Sequence, residues 1–244
     1  MMKRFDIMVC KQLDVSREYA KEIILAGKCS VDGEIITKPG AKIAETSKIA
    51  SEVGKLPFVS RGGLKLAHAL EKFHINLQGL RCLDIGASTG GFTDCMLQRG
   101  AKCVIALDNG HGQLAQTLHH DPRVIPIEGR DIRGIILDDL PYQPDFIATD
   151  LSFISLTLVI PKVSELLEAG GKAVFLVKPQ FECGRTKLDK KGVVRSQAAR
   201  DKAVKRIRDA LADNGFAATN IDQSPITGQN GNVEYLILAE KRDA

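Results

Sequence analysis

From Arg81 onward the chain alternates between two periods, and that alternation constrains its fold more than any other feature. Six short apolar runs, at residues 82–85, 104–107, 124–127, 146–149, 172–177 and 233–239, read as strands. Between them, residues 91–99, 114–119, 154–168 and 196–214 repeat their apolar positions at helical spacing. Strands that take turns with helices must cross back over the sheet to pair again. The expectation is therefore an α/β fold with a Rossmann-like, doubly wound, mostly parallel sheet covered by helices on both faces. In such sheets a ligand sits beyond the carboxyl ends of the strands. The polar residues just after each apolar run are where function is to be sought.

The first of those ends is Leu83-Asp84-Ile85-Gly86-Ala87-Ser88-Thr89-Gly90-Gly91-Phe92, a strand closing on a carboxylate and a glycine-rich turn that opens a helix. About one strand-helix unit later, residues 104–107 run into Asp108, where a carboxylate grips ribose hydroxyls in dinucleotide-binding sheets. The glycines are out of phase for G-x-G-x-x-G, and Gly86-x-x-x-x-Gly91 is followed by Phe92-Thr93 rather than the Lys-Ser/Thr of a phosphate-binding loop. The turn thus favours a cofactor without phosphates, for which S-adenosylmethionine is the leading candidate. Its amino-acid end needs backbone amides and a carboxylate, and its ribose needs Asp108. The competing reading is a glycine-rich turn of purely structural use.

Residues 1–53 are patterned differently and are expected to form a small α+β domain, joined by a linker at 54–59 to a large domain at 60–244. A helix capped by Asp14 or Ser16 carries Val15, Tyr19, Ala20, Ile23 and Ile24 on one face and Arg17, Lys21 and Lys28 around the other. Residues 29–36 read as a hairpin about Asp32-Gly33, a pair that tolerates the positive φ such turns demand. Ser16-Arg17, Gly27-Lys28-x-x-Val31-x-Gly33 and Lys38-Pro39 together resemble the S4 RNA-binding fold, with Arg4-Phe5-Asp6 in place of its usual Arg-Leu-Asp. Residues 48–59 look like a connector.

Net charge is only +4, but ten Lys/Arg against two Asp fall between Arg185 and Arg208, so that segment carries +8 and the remainder −4. Such a block is either a solvated helix face or a footprint for nucleic-acid phosphates, with Arg185, Lys187, Lys190, Lys191 and Arg195 at its head. The six cysteines form no C-x-x-C pair and no ligand-spaced cluster with histidine, so no metal site is expected. With no apolar leader and no run of eighteen apolar residues, the sequence reads as cytoplasmic with no membrane role.

Four polar positions stand at the expected strand ends or at the entry helix: Lys65, Asp150, Lys178 and Glu234. Lys65 falls near the amino end of a helix starting at residue 60, where the helix dipole disfavours a cation. Any one of the four alone is weak evidence. Their order, with Asp84-Ile85-Gly86 between the first two, is similar to the K-D-K-E tetrad of the FtsJ-like ribose 2'-O-methyltransferases. The longer runs Ser60-Arg61-Gly62-Gly63-Leu64-Lys65-Leu66, Asp84 to Asp94, Gly112-Gln113-Leu114, Asp150-Leu151-Ser152-Phe153-Ile154-Ser155, Val177-Lys178-Pro179-Gln180-Phe181-Glu182 and Gly231-Asn232-Val233-Glu234-Tyr235 resemble the TlyA family over essentially the whole chain.

The resemblance implies an S4 domain fused to a methyltransferase domain, S-adenosylmethionine as cofactor, and 2'-O-methylation of cytidine in ribosomal RNA or its subunits. It implies Lys65, Asp150, Lys178 and Glu234 as catalytic residues, and Asp84, Gly86, Ala87, Ser88, Thr89, Gly90, Gly91, Phe92, Asp108, Asp131 and Asp150 around the cofactor. The chain departs from the family at Asp108-Asn109-Gly110-His111-Gly112-Gln113 and at Asp131, where relatives carry Asp-Val-Gly-Tyr-Gly-Gln and an Asn. A 2'-hydroxyl must lose its proton as it attacks a sulfonium methyl, so a base within hydrogen-bond reach helps, and Lys178 is the candidate. Asp150, Lys65 and Glu234 would orient it, Arg17, Lys21, Lys28 and the 185–195 cations would hold RNA phosphates, and Phe181 either stacks on the target base or packs in the core. Two other classes stay open: a cytolysin, because the family is often labelled hemolysin, and a ribosome-binding factor without catalysis.

Overall fold

The structure is a computed structural model that describes residues 1–242 except Asp14, Ser16 and Lys55. Its chain divides into two compact units, Met1–Arg61 and Gly62–Ala244.

In the first unit, β1 (Met2–Arg4) leads into α1 (Phe5–Leu13) and α2 (Arg17–Leu25), followed by β2 (Cys29–Val31), β3 (Glu34–Ile35), β4 (Lys42–Ala44) and β5 (Ile49–Ser51). β1 pairs with β4, and β2 lies between β3 and β5, all antiparallel. The β2–β3 turn has φ 51° at Asp32 and 90° at Gly33, the left-handed pair that a two-residue hairpin requires. Phe5, Val9, Ile24, Cys29 and Ile43 meet in its core. The cap expected at Asp14 or Ser16 lies outside the described residues. The stretch read as a connector from Lys48 opens instead with β5, whose pairing to β2 completes the three-stranded sheet. Three residues are too few for an alternating pattern to show.

The second unit opens with α3 (Gly62–Lys72), then runs β6 (Arg81–Ile85), α4 (Gly91–Gln98), β7 (Cys103–Asp108), α5 (Gln116–His119), β8 (Val124–Glu128), β9 (Phe146–Thr149), α6 (Ile160–Leu166), β10 (Lys172–Val177), α7 (Pro179–Glu182), α8 (Gln197–Asp213), β11 (Phe216–Gln223) and β12 (Tyr235–Lys241). Its seven-stranded sheet has the order β11-β12-β10-β9-β6-β7-β8. β8, β7, β6, β9 and β10 are parallel, and β12 runs antiparallel to both its neighbours, β10 and β11. The chain winds outward from β6 through β7 to β8, then returns to start again at β9. The switch point, where neighbouring crossovers leave in opposite directions and open a crevice, lies between β6 and β9. The central strands are buried on both faces, which is why they read as unbroken apolar runs.

Three expectations change. Residues 154–168 are not one helix: Leu156–Leu158 is a 3₁₀ turn and α6 starts at Ile160, with Pro161 confined to its first turn where a missing N–H costs nothing. β11 is a strand that no apolar run marks, because Thr219, Asn220 and Asp222 are polar and Ile221 is exposed, as in an edge strand with a register shift at Ala218/Asn220. The last strand begins at Tyr235, which leaves Glu234 just before it rather than on it.

Candidate active site

The turn after β6 passes directly beneath the end of β9. Gly86 has φ 87°, and a Cβ there would come within 2.5 Å of the Asp150 carbonyl oxygen, so only glycine fits. The turn hangs from the next strand by Gly86 N–H and Ala87 N–H donating to Leu107 O. Asp108, at the end of β7, accepts from Ser88 N (2.8 Å) through one oxygen and from Gly110 N (2.7 Å) through the other. Each oxygen keeps a lone pair for a hydroxyl.

Asp84 is fully buried behind the turn. Its Oδ2 accepts from Thr93 N (2.9 Å) and Thr93 Oγ1 (2.6 Å), pinning the start of α4 to the end of β6. Its Oδ1 is buried with no hydrogen-bond partner among the described residues. Burial, opposed by the Thr93 bonds and reinforced by the charges of Asp150 and Asp108, pushes this carboxyl up to about 7.

In front of the turn is a cavity of about 600 Å³ lined by Gly86, Ser88, Asp108, Asp131, Asp150 and Phe153, among others. That size is ordinary for a small-molecule pocket, ~300–1,000 Å³. Of the residues expected around a cofactor, these first five reach it. Ala87, Gly90, Gly91 and Phe92 are buried around the turn, and Thr89 uses its carbonyl on Ala115 N. Asp131 faces the cavity but spends its carboxylate on the Arg133 guanidinium and amide. The bare glycine cradle, the unpaired Asp84 oxygen and the Asp108 acceptors fit a cofactor with a cationic amino-acid end and a ribose. Lys65, Glu234 and Lys178 are not among the residues lining this cavity.

Lys65, Asp150, Lys178 and Glu234 come together as two ion pairs. Lys65 Nζ, in the first turn of α3, donates to Glu234 Oε2 at 2.6 Å, and both side chains are buried. Gly228 makes room, since a Cβ there would lie 1.9 Å from Glu234 Oε1. Lys178 Nζ lies 2.6 Å from Asp150 Oδ1, angled as an ion pair rather than a hydrogen bond, and donates to Ser152 Oγ at 2.9 Å. Burial alone would raise the Asp150 carboxyl. The charges of Lys178 and Lys65 overcome it and hold the group below the ordinary range, so the two pairs share one electrostatic cluster.

Phe153 was not singled out from sequence. It is 87% exposed, has φ 64° and packs its ring against Phe181 with centroids 5.3 Å apart. A bulky residue held at positive φ with its face in water is a strained feature of the kind found at binding sites. Apolarity within an apolar stretch gave no signal for it. Phe181 itself is half-buried beneath it.

The basic residues occupy both units. Arg17 is exposed on α2 with Nε 3.1 Å from the buried Asp6, Lys21 is half-buried, and Lys28 pairs with Glu52 at 2.8 Å. In the second unit Arg185, Lys187, Lys190, Lys191 and Arg195 are all exposed. Their segment is fastened to the approach of Glu234: Asn230 Nδ2 donates to Lys191 O (3.0 Å), and Asn232 exchanges bonds with Gly192 O and Val194 N.

Comparison with known proteins agrees with this architecture. The family model described as FtsJ-like methyltransferase matches residues 58–241. The 16S/23S rRNA (cytidine-2'-O)-methyltransferase TlyA of Mycobacterium tuberculosis is 40% identical over 231 residues, 94% of this chain and 86% of the relative. Hemolysin A of Brachyspira hyodysenteriae is 43% identical over 224 residues, 91% of this chain and 92% of the relative. A solved structure of a hemolysin-named protein from Streptococcus thermophilus superposes with a TM-score of 0.82 at 41% identity, covering 100% of this chain and 90% of that one. On the match to the family model and on relatives alike along nearly its full length, the chain belongs to the FtsJ-like methyltransferase family, in the branch that includes TlyA.

Proposed function

We propose that this protein transfers a methyl group from S-adenosylmethionine to the ribose 2'-hydroxyl of a cytidine in ribosomal RNA, acting on ribosomal subunits in the cytoplasm. The observation that carries the reading is the two ion pairs beside the glycine cradle, the buried Lys65–Glu234 and the partly buried Lys178–Asp150. S-adenosylmethionine, when bound, supplies an electrophilic sulfonium methyl. Gly86 and Ser88 present the backbone against which its amino-acid end rests, with the Asp84 carboxylate behind them, and Asp108 accepts its ribose hydroxyls.

Lys178 Nζ is fixed from two sides by Asp150 and Ser152, so it holds the 2'-hydroxyl without first being positioned, and it takes the hydroxyl's proton only as the neutral amine, after the ammonium of the ion pair has given a proton to solvent. The Lys65–Glu234 pair orients the target ribose from the other side. Much of the rate comes from holding hydroxyl and methyl in line. Phe153 offers the nucleobase an apolar face at the cavity mouth. Arg17, Lys21 and Lys28 in one unit and Arg185, Lys187, Lys190, Lys191 and Arg195 in the other neutralise phosphates on a folded RNA, with few aromatics committed to base stacking. The residues at 1–53 would serve as the S4-like RNA-binding part and those at 60–244 as the methyltransferase.

The test is transfer of labelled methyl from S-adenosylmethionine to ribosomal subunits. Wild-type protein is expected to label RNA, and Lys178→Ala to reduce labelling at least ~100-fold with cofactor affinity retained. Absence of transfer from wild type to subunits and to naked RNA would overturn the reading.

A further inference from the structure

We propose that Glu182 is a positioning residue of the methyl-transfer site, a buried clasp that locks the segment bearing Asp150 to the segment bearing Lys178. The proposal rests on the function given above.

β9 and β10 are parallel neighbours, and their pairing ladder ends at Thr149 opposite Phe175. β9 stops there while β10 runs on to Val177 beside β12, and after each strand the chain leaves the sheet as a separate segment. Asp150 begins one and Lys178 begins the other, so the geometry of the ion pair depends on how these segments are held together. At the site itself the bond is Lys178 to Asp150 and Ser152, made by the reacting groups themselves. A second bond lies behind them. Glu182 Oε2 accepts from Ser155 Oγ at 2.6 Å and Oε1 accepts from Leu156 N at 2.8 Å. One carboxylate thereby caps the 3₁₀ turn that ends the Asp150 segment while standing at the end of the single helical turn that follows Lys178.

Arg206 of α8 reinforces the same junction, donating through Nη1 to Glu182 O at 2.9 Å, with Nη2 3.5 Å from Thr157 Oγ1. Glu182 is 5% exposed. Burial pushes its carboxyl above the ordinary range, while the Ser155 hydroxyl, the Leu156 amide and the Arg206 charge oppose that push. A buried carboxylate is a costly way to join two loops, and a packed apolar side chain would be cheaper. What the carboxylate adds is direction: two acceptors at a fixed spacing, which set where Ser155 and Leu156 stand relative to Lys178. Displacement of a reacting group by about 1 Å can cost ~100-fold in rate, so the clasp acts on kcat rather than on binding.

The experiment measures methyl transfer, cofactor affinity by calorimetry and Tm for Glu182→Ala, Glu182→Gln and Ser155→Ala. Glutamine can reproduce both bonds, accepting from Leu156 N and donating to the Ser155 hydroxyl. Glu182→Ala is expected to lower kcat by about 10- to 100-fold, with the KM for RNA and the Kd for S-adenosylmethionine within about threefold of wild type. Glu182→Gln should recover kcat to within about threefold, and Ser155→Ala should lower it by about 3- to 10-fold, non-additively with Glu182→Ala. If Glu182→Ala does not fold, Ser155→Ala decides alone. An undiminished kcat in Glu182→Ala or Ser155→Ala, a Glu182→Gln no better than Glu182→Ala, or a loss of kcat, cofactor affinity and Tm together, would overturn this assignment while leaving the methyltransferase reading intact. A wild-type protein that transfers no methyl removes both.

Discussion

Asp84 shows how much a single side chain in this fold is bent toward binding. A carboxyl raised to about 7 in the folded chain holds its proton where the unfolded chain has lost it, so its ionisation draws stability away. The sign follows: stability of the ligand-free protein falls as pH rises from the ordinary carboxylate range to about 7, then levels off. Asp84→Asn keeps an acceptor for Thr93 and removes the ionisation. Its stability, and with it its Tm, should exceed that of wild type increasingly between pH 4 and pH 7, by a free energy on the order of a few kcal/mol at the plateau, while S-adenosylmethionine affinity is lost. Thermal melts across that pH range, with cofactor titration at pH 8, check both halves; a variant less stable than wild type at pH 8 would contradict them. Gly86→Ala is the complementary case. Its Cβ meets backbone at a positive φ, so it should cost about 2 kcal/mol or more and abolish cofactor binding.

At the scale of elements, the parallel strands and their polar ends were readable because strands buried on both faces leave continuous apolar runs that finish on the residues facing the crevice. Asp84, Asp108, Asp150 and Lys178 were therefore visible as positions before any geometry existed. The ion pairing was not, because nothing in sequence says that Lys65 reaches Glu234 across 169 positions. β11 is a partly polar edge, the apolar spacing runs on across Pro161 beyond α6, Phe153 lies in an irregular segment where no period operates, and Glu182 ends a single helical turn too short to show one. The basic loop from Arg185 to Arg195 was visible as charge alone. Its anchoring through Asn230 and Asn232 makes it a presented surface, and Lys190→Ala with Lys191→Ala should weaken RNA binding about equally for all sequences. Together they should lower the slope of log K against log salt by about 1–2, with cofactor affinity unchanged. Filter binding at several salt concentrations measures the slope; an unaltered slope would place the RNA elsewhere.

Across the whole molecule, the two units share an acid limit. Arg4, with burial opposing and Arg17 assisting, holds Asp6 down to about 2 in the first unit; Arg81 does the same for Asp145 in the second. Carboxyls held low contribute stability above the ordinary carboxylate range and lose it as pH falls through about 2, the reverse of Asp84. Asp6→Asn should lower Tm at pH 7 by a few degrees and match wild type once the pH approaches 2, as thermal melts would show. Asp6 also holds Arg17 at the surface, so this buried group connects stability to the proposed RNA contact.

The claim that unites cradle, ion pairs and basic surfaces is that the methyl lands on a ribose oxygen. The most direct measurement is alkaline hydrolysis of RNA from subunits labelled by the wild-type enzyme. A 2'-O-methyl group blocks cleavage, so the label should appear in one alkali-resistant dinucleotide whose 5' residue is cytidine. Label released in mononucleotides carrying a methylated base would contradict the account.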